Sequence, residues 1–158
     1  MKAIQRRWVF FLIVMLQPFS AAGQLYITWQ GLEPDKLASL WLLKRFVDPQ
    51  AEFSLVSKGS TINNGIPLDV PSAIFKRSHT QSTFESILKN QGINDEQLIY
   101  IGKIIHDIEI NTWKTKKLKE TFTIQNELWK IIDQEQDEQK AIHNAMQFFD
   151  KIYQKKAQ

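Results

Sequence analysis

GIPLDVPSAIFKRSHTQSTFESILKNQGINDEQLIYIGKIIHDIE, residues 65–109, holds two helix starts and the short extended run that precedes them. Ser82-x-x-Glu85 has the form of a capping box, in which a hydroxyl and a carboxylate reciprocally satisfy the free backbone donors of a first turn. Phe84, Ile87 and Leu88 then recur at helical spacing, and Gly92 supplies the stop. Asn94-x-x-Gln97 repeats the device for a longer helix to about residue 112, with Leu98, Ile101, Ile105 and Ile108 as its apolar stripe. A second stripe on that helix runs Gly102, His106, Glu109, Trp113. Upstream, residues 66–70 read as a short strand bracketed by Pro67 and Pro71, which proline confines to an edge or an end. Residues 72–81 form an irregular connection carrying Lys76, Arg77 and His79.

Toward the N-terminus, Glu33-Pro34-Asp35 opens a further helix, with proline and acids in the first turn. Leu37, Leu40, Trp41, Phe46 and Val47 continue it until Asp48-Pro49. Arg45 falls on the face of Leu37 and Trp41, while Lys36 and Lys44 share a neighbouring stripe with Leu40. Residues 24–29 suit a strand or an arm, and residues 51–57 alternate as a strand. Beyond the basic turn at 114–119, helices are expected near 118–133 and 138–153. Their faces are Phe122, Leu128, Trp129, Ile132 and Ile142, Met146, Phe149, Tyr153. The expected fold is mainly α: a single compact helical domain over residues 23–158 with a minor short-strand β element.

Residues 1–22 stand apart. Lys2, Arg6 and Arg7 precede an apolar run at 8–16, then Pro18 and small residues, the layout of a cleaved signal peptide. That run is shorter than the ~20 residues a membrane span requires. The expected location is therefore exported, periplasmic or extracellular, with no stable membrane insertion after cleavage. Three of the 20 basic residues lie in this leader, so the rest of the chain sets 17 bases against 17 acids. Near-neutrality removes the electrostatic argument for nucleic acid as a partner. The chain has no cysteine, which excludes disulfides, thiolate ligands and thiol nucleophiles. No serine sits in a nucleophile elbow, and no glycine-rich phosphate loop is present.

Four ordered blocks over about 75 residues carry a resemblance. Residues 35–53, DKLASLWLLKRFVDPQAEF, resemble the pattern DRIASPWLIRRFIDPxAEF. Residues 66–71 (IPLDVP), 79–85 (HTQSTFE) and 104–109 (IIHDIE) resemble IPFDVP, HxxxCTFE and IVHDAD. Together they resemble the chromate-resistance exported protein family, the C-terminal domain of ChrB. The resemblance implies a role in sensing or handling a toxic metal or oxyanion. Lys36 and Lys44 stand where the pattern has arginine, so forked donors become point charges. Leu40 replaces a proline, Ser82 a cysteine and Glu109 an aspartate; the Ser82 exchange removes any thiol chemistry.

Two ligand chemistries fit the residues. His106 and Glu109, at i and i+3, can face one ion, with His79 as a third donor and Asp107 or Asp69 completing or supporting the set. Nitrogen and oxygen donors without sulfur suit Zn, Fe, Mn or Ni. Glu85 belongs to the capping box or to the outer support of that site. An oxyanion such as chromate instead needs cations or free backbone donors. Arg45, Lys36, Lys76 and Arg77 are candidates, with Arg45 and Lys36 leading and Lys76 and Arg77 alternatively simple solvated loop charges. Arg45 alternatively pairs with Asp69 or Asp48, and the histidines alternatively serve packing. The functional readings are an exported protein that binds a metal ion or oxyanion, a metal-dependent hydrolase-like enzyme, or a structural interaction domain without a metal.

Overall fold

The structure is a computed structural model that describes residues 23–112 and 115–156. The expected leader at 1–22, and Trp113 with Lys114, lie outside the described residues.

Three short strands form an all-parallel sheet: β1 (Leu25–Trp29), β2 (Glu52–Val56) and β3 (Ile66–Pro67), in the order β2-β1-β3. Parallel neighbours need a crossover, and α1 (Pro34–Leu42) supplies it between β1 and β2. The chain then passes to the other side of β1, where Tyr26 aligns with Ile66 and Ile27 with Pro67. The edge position expected for a proline-bearing strand is the one β3 takes. Gly65, at φ +79, makes the approach possible, because a Cβ there would come within 2.7 Å of the Leu25 carbonyl oxygen.

Four more helices follow: α2 (Thr83–Asn90), α3 (Glu96–Glu109), α4 (Thr121–Gln134) and α5 (Glu138–Lys156). α1 lies against α2, α3 and α5 and also touches α4. Its nine residues are all buried, including Asp35, Lys36 and Ser39. A helix enclosed on every side is expected to be apolar all round, so these three polar residues require partners. Trp41 occupies the centre of the core, its ring near-parallel to Phe84 (6.5 Å between centroids, 8°) and to Phe149 (5.3 Å, 27°).

The mainly helical fold with a minor β element matches the expectation, but several local readings shift. α1 does not continue as an α-helix to Val47. It passes into a π-helical turn over Leu43–Val47, closed by the Asp48 N–H on the Leu43 carbonyl at 2.8 Å. The wider turn changes the phase, and Arg45 and Phe46 leave the buried face. The α3 cap lies one residue later than Asn94: the Asp95 carboxylate accepts the Leu98 N–H at 2.9 Å. On α4, Phe122 and Trp129 are exposed, while Leu128 is buried and Ile124 and Ile132 pack against the core. The α5 stripe packs as expected, with Ile142 and Phe149 buried and Met146 and Tyr153 against the core.

Candidate functional site

All three strands point their carboxyl ends at one cleft of about 380 Å3. Its lining includes Trp29 at the end of β1, Lys58 just beyond β2 and Asp69 just beyond β3. Ligands of open parallel sheets bind outside the carboxyl ends of the strands, where consecutive connections diverge to opposite sides. β1 is such a divergence point here, since α1 leads to one neighbour and the later chain reaches the other.

Arg77 is the hub of the cleft floor. Its guanidinium takes Asp69 bidentately, Nε to Oδ1 at 3.3 Å and Nη2 to Oδ2 at 3.0 Å. Nη2 also meets Glu33 at 2.6 Å, and Nη1 donates to Glu109 at 3.3 Å. Asp35 lies 3.9 Å from Nε. Burial opposes the charge on Arg77, but the bonds to Asp69 and the fields of Asp35 and Glu33 outweigh it and raise its pKa. The hub therefore ties together the start of α1, the loop after β3, the loop before α2 and the end of α3.

Beneath it the carboxylates are unequal. Asp35 is fully buried, and its oxygens accept the N–H groups of Thr83 (2.7 Å) and Phe84 (2.9 Å) and the Ser39 hydroxyl (3.3 Å). Burial first, then the neighbouring Asp69 carboxylate, push Asp35 up to about 7, against the opposing backbone donors and Arg77. Burial likewise raises Glu109, with Arg77 opposing. Asp69 has φ +51 and accepts the Thr83 hydroxyl at 2.6 Å. A left-handed non-glycine residue costs roughly 1–2 kcal/mol, which the contacts with Arg77 and Thr83 offset here.

The cations in the cleft outnumber the acids that line it. Lys36 is buried and its Nζ donates to the carbonyls of Trp29 (2.7 Å) and Gly31 (2.6 Å), which leaves one of its three N–H bonds. Burial lowers its pKa, with Asp69 and Glu33 opposing. Lys76 donates to the Pro71 carbonyl at 2.6 Å. Lys58 has no hydrogen bond or ion pair among the described residues. Glu33 and Asp69 are the lining acids, and Arg77 engages both.

The residues expected to hold a metal are not gathered. His79 is exposed on its loop. The His106 Nδ1 faces the Glu85 carboxylate at 2.9 and 3.2 Å. Asp107 is buried and binds Asn111, Thr121 and the backbone N–H groups of Lys117 and Leu118. Glu109 goes to Arg77. Among the described residues no group of three or more His, Cys, Asp or Glu side chains is placed to hold one ion. Asp107 projects about 100° from His106 and turns inward, while His106 and Glu109, though on one face at i and i+3, are drawn to different partners, Glu85 and Arg77. Arg45 is not a cation awaiting a ligand either. It forms a two-bond pair with Asp150 (3.0 and 2.8 Å), not with Asp69 or Asp48, and lies outside the cleft lining. Glu85 completes the capping box: its Oε2 accepts the Ser82 N–H at 2.8 Å, and Ser82 Oγ accepts the Glu85 N–H at 3.1 Å.

Of the expected set, Asp69 and Glu109 meet at Arg77, and Lys36 lines the same cleft. Sequence reasoning missed Glu33, Asp35 and Lys58, and left Arg77 between an oxyanion candidate and a solvated loop charge. Asp35 gave one usable signal: together with Lys36 it sits in a helix whose following residues are almost all apolar, where a charged pair needs buried partners.

The fold and cleft define a class: a helical domain built on a short parallel sheet, with a charged crevice at the strand ends. The family model of the ChrB C-terminal domain matches residues 26–156, and the chain belongs to that family. It is also similar to Protein ChrB of Cupriavidus metallidurans, with 28% identity over 95 residues. That match covers 59% of this chain and 29% of the relative, so the chain spans less than a third of that protein's length. No solved structure matches the chain. Family membership supports a role related to chromate resistance.

Proposed function

We propose that the protein binds a small tetrahedral oxyanion, chromate in particular, in the cleft at the strand ends. The observation that carries this reading is the charge balance of the cleft. Lys36, Lys58, Lys76 and Arg77 line it against two acids, and both acids are engaged by Arg77. The ammonium groups of Lys58 and Lys76, with the remaining Lys36 N–H, supply the donors a dianion needs. One ion pair at ~4 Å is worth about 4 kcal/mol at an effective dielectric near 20, and salt weakens it where solvent reaches. Binding is thus expected to be salt-dependent and shared with sulfate, which has the same shape and charge. The order of charges, apolar run and small residues in 1–22 supports placing this binding outside the cytoplasm.

Titration calorimetry with chromate, with sulfate as competitor, tests the reading. Saturable binding that weakens about tenfold in Lys58→Gln and in Lys76→Gln is expected. A wild-type protein that binds neither anion at millimolar concentration sinks it.

A further inference from the structure

A second pocket, of about 310 Å3, opens between α2, α3 and the turn before α4. It is lined by Glu85, Lys103, His106, Asp107, Lys117 and Leu118, none of which lines the strand-end cleft. Both acids are engaged from within the chain. Glu85 accepts the Ser82 N–H and faces His106, while Asp107 takes four donors, two of them the backbone N–H groups of Lys117 and Leu118. The ammonium groups of Lys103 and Lys117 have no hydrogen bond or ion pair among the described residues.

The His106–Glu85 pair gives the pocket its chemical character. A carboxylate only accepts, so the Nδ1 beside it carries the proton, and a neutral ring then presents Nε2 as a lone-pair acceptor. Glu85 is itself fixed by the Ser82 N–H, so the tautomer and the ring orientation are held. A ligand satisfying all three free groups must bring negative oxygens for the two lysines and an O–H for Nε2. Hydrogen phosphate has both. Sulfate has no proton to give.

We propose that this pocket is a second ligand site, selective for a protonated tetrahedral oxyanion of the phosphate type, with His106 Nε2 accepting the ligand O–H and Lys103 and Lys117 neutralising its charge. The site is independent of the reading given for the strand-end cleft.

Phosphate and sulfate titrations at pH 8.5, where model imidazoles are neutral and phosphate keeps one O–H, test the proposal. Phosphate is expected to bind at least tenfold more tightly than sulfate and to perturb the ring nitrogens of His106 in 15N NMR spectra. His106→Ala is expected to abolish the preference, and Lys103→Gln and Lys117→Gln each to weaken phosphate severalfold. His106→Gln, which keeps an acceptor, guards against loss of folding and should retain part of the preference. Equal affinity for the two anions in Lys58→Gln, or no response of the His106 nitrogens to phosphate, overturns the proposal. So does phosphate binding that is lost in Lys58→Gln yet persists in His106→Ala, because the ligand would then occupy the strand-end cleft.

Discussion

Asp35 caps a helix that begins 48 residues later: its carboxylate accepts the Thr83 N–H at 2.7 Å and the Phe84 N–H at 2.9 Å. The capping box takes the other two free donors: Ser82 Oγ accepts the Glu85 N–H and the Glu85 carboxylate accepts the Ser82 N–H. All four donors that a helix start leaves free are thereby satisfied, half of them by a residue of the central helix. The same carboxylate lies beside Arg77, so the joint between α1 and α2 and the floor of the cleft are one network.

Asp35→Ala orphans two buried N–H groups and removes one counter-charge of Arg77. At about 1–3 kcal/mol per buried unsatisfied group, a loss of roughly 3–5 kcal/mol is expected in urea unfolding. A change below ~1 kcal/mol means that the helix start does not depend on this carboxylate.

Asp35 and Glu109 are both raised in the folded protein, Asp35 to about 7. The folded state thus holds more protons than the unfolded state between the ordinary carboxylate value and about pH 7. The Asp35 contribution is complete below about pH 4 and is lost as pH rises through this window, at up to ~1.4 kcal/mol per pH unit, and Glu109 acts in the same direction. Asp107 and Asp150 are lowered, burial notwithstanding, by their hydrogen bonds, including those of Asn111 and Arg45, and act only further on the acid side. The melting temperature should fall from pH 5 to pH 7.5, and Asp35→Asn should flatten that slope. A wild-type profile that rises instead contradicts the assignment.

Arg77→Lys keeps the charge but loses the planar fork that spans Asp69, Glu33 and Glu109. The expected cost is about 2 kcal/mol, with screening at this partly open site already allowed for. Arg77→Gln should cost more and recover part of its stability at pH 5, where Asp35 is protonated. Thermal melts of both variants at the two pH values decide the point.

Arg45 and Trp41 meet at the same oxygen of Asp150, at 3.0 and 2.8 Å, yet differ in burial. Arg45→Ala breaks a largely exposed pair and should cost under ~1 kcal/mol. It should also leave chromate binding unchanged. Trp41→Ala empties the centre of the core and should cost about 3–5 kcal/mol. Comparable effects of the two would refute the placement of Arg45 on the surface.

Local chemistry was legible wherever the partners are close in the chain. The Ser82–Glu85 box, the glycine stop at Gly92, the α5 stripe and the edge position of Pro67 all depend on contacts or restraints within a few residues. Where the phase of a helix drifts, the reading slipped. The π-helical turn turned Arg45 outward, and the stripe assigned to α4 included Phe122 and Trp129, which are exposed.

The sequence by itself determined the fold class, the family and the main helices, because periodicity and capping are written in residues three or four apart. Only the tertiary structure decided which charges meet. Arg77 reaches Glu33, Asp69 and Glu109 on three separate segments, and His106 turns to Glu85 rather than to the neighbouring acids of its own helix. The physical reason is that a buried charge takes whatever partner the packed core brings within about 3 Å. That choice depends on how α1, α2 and α3 pack together, which no local pattern encodes.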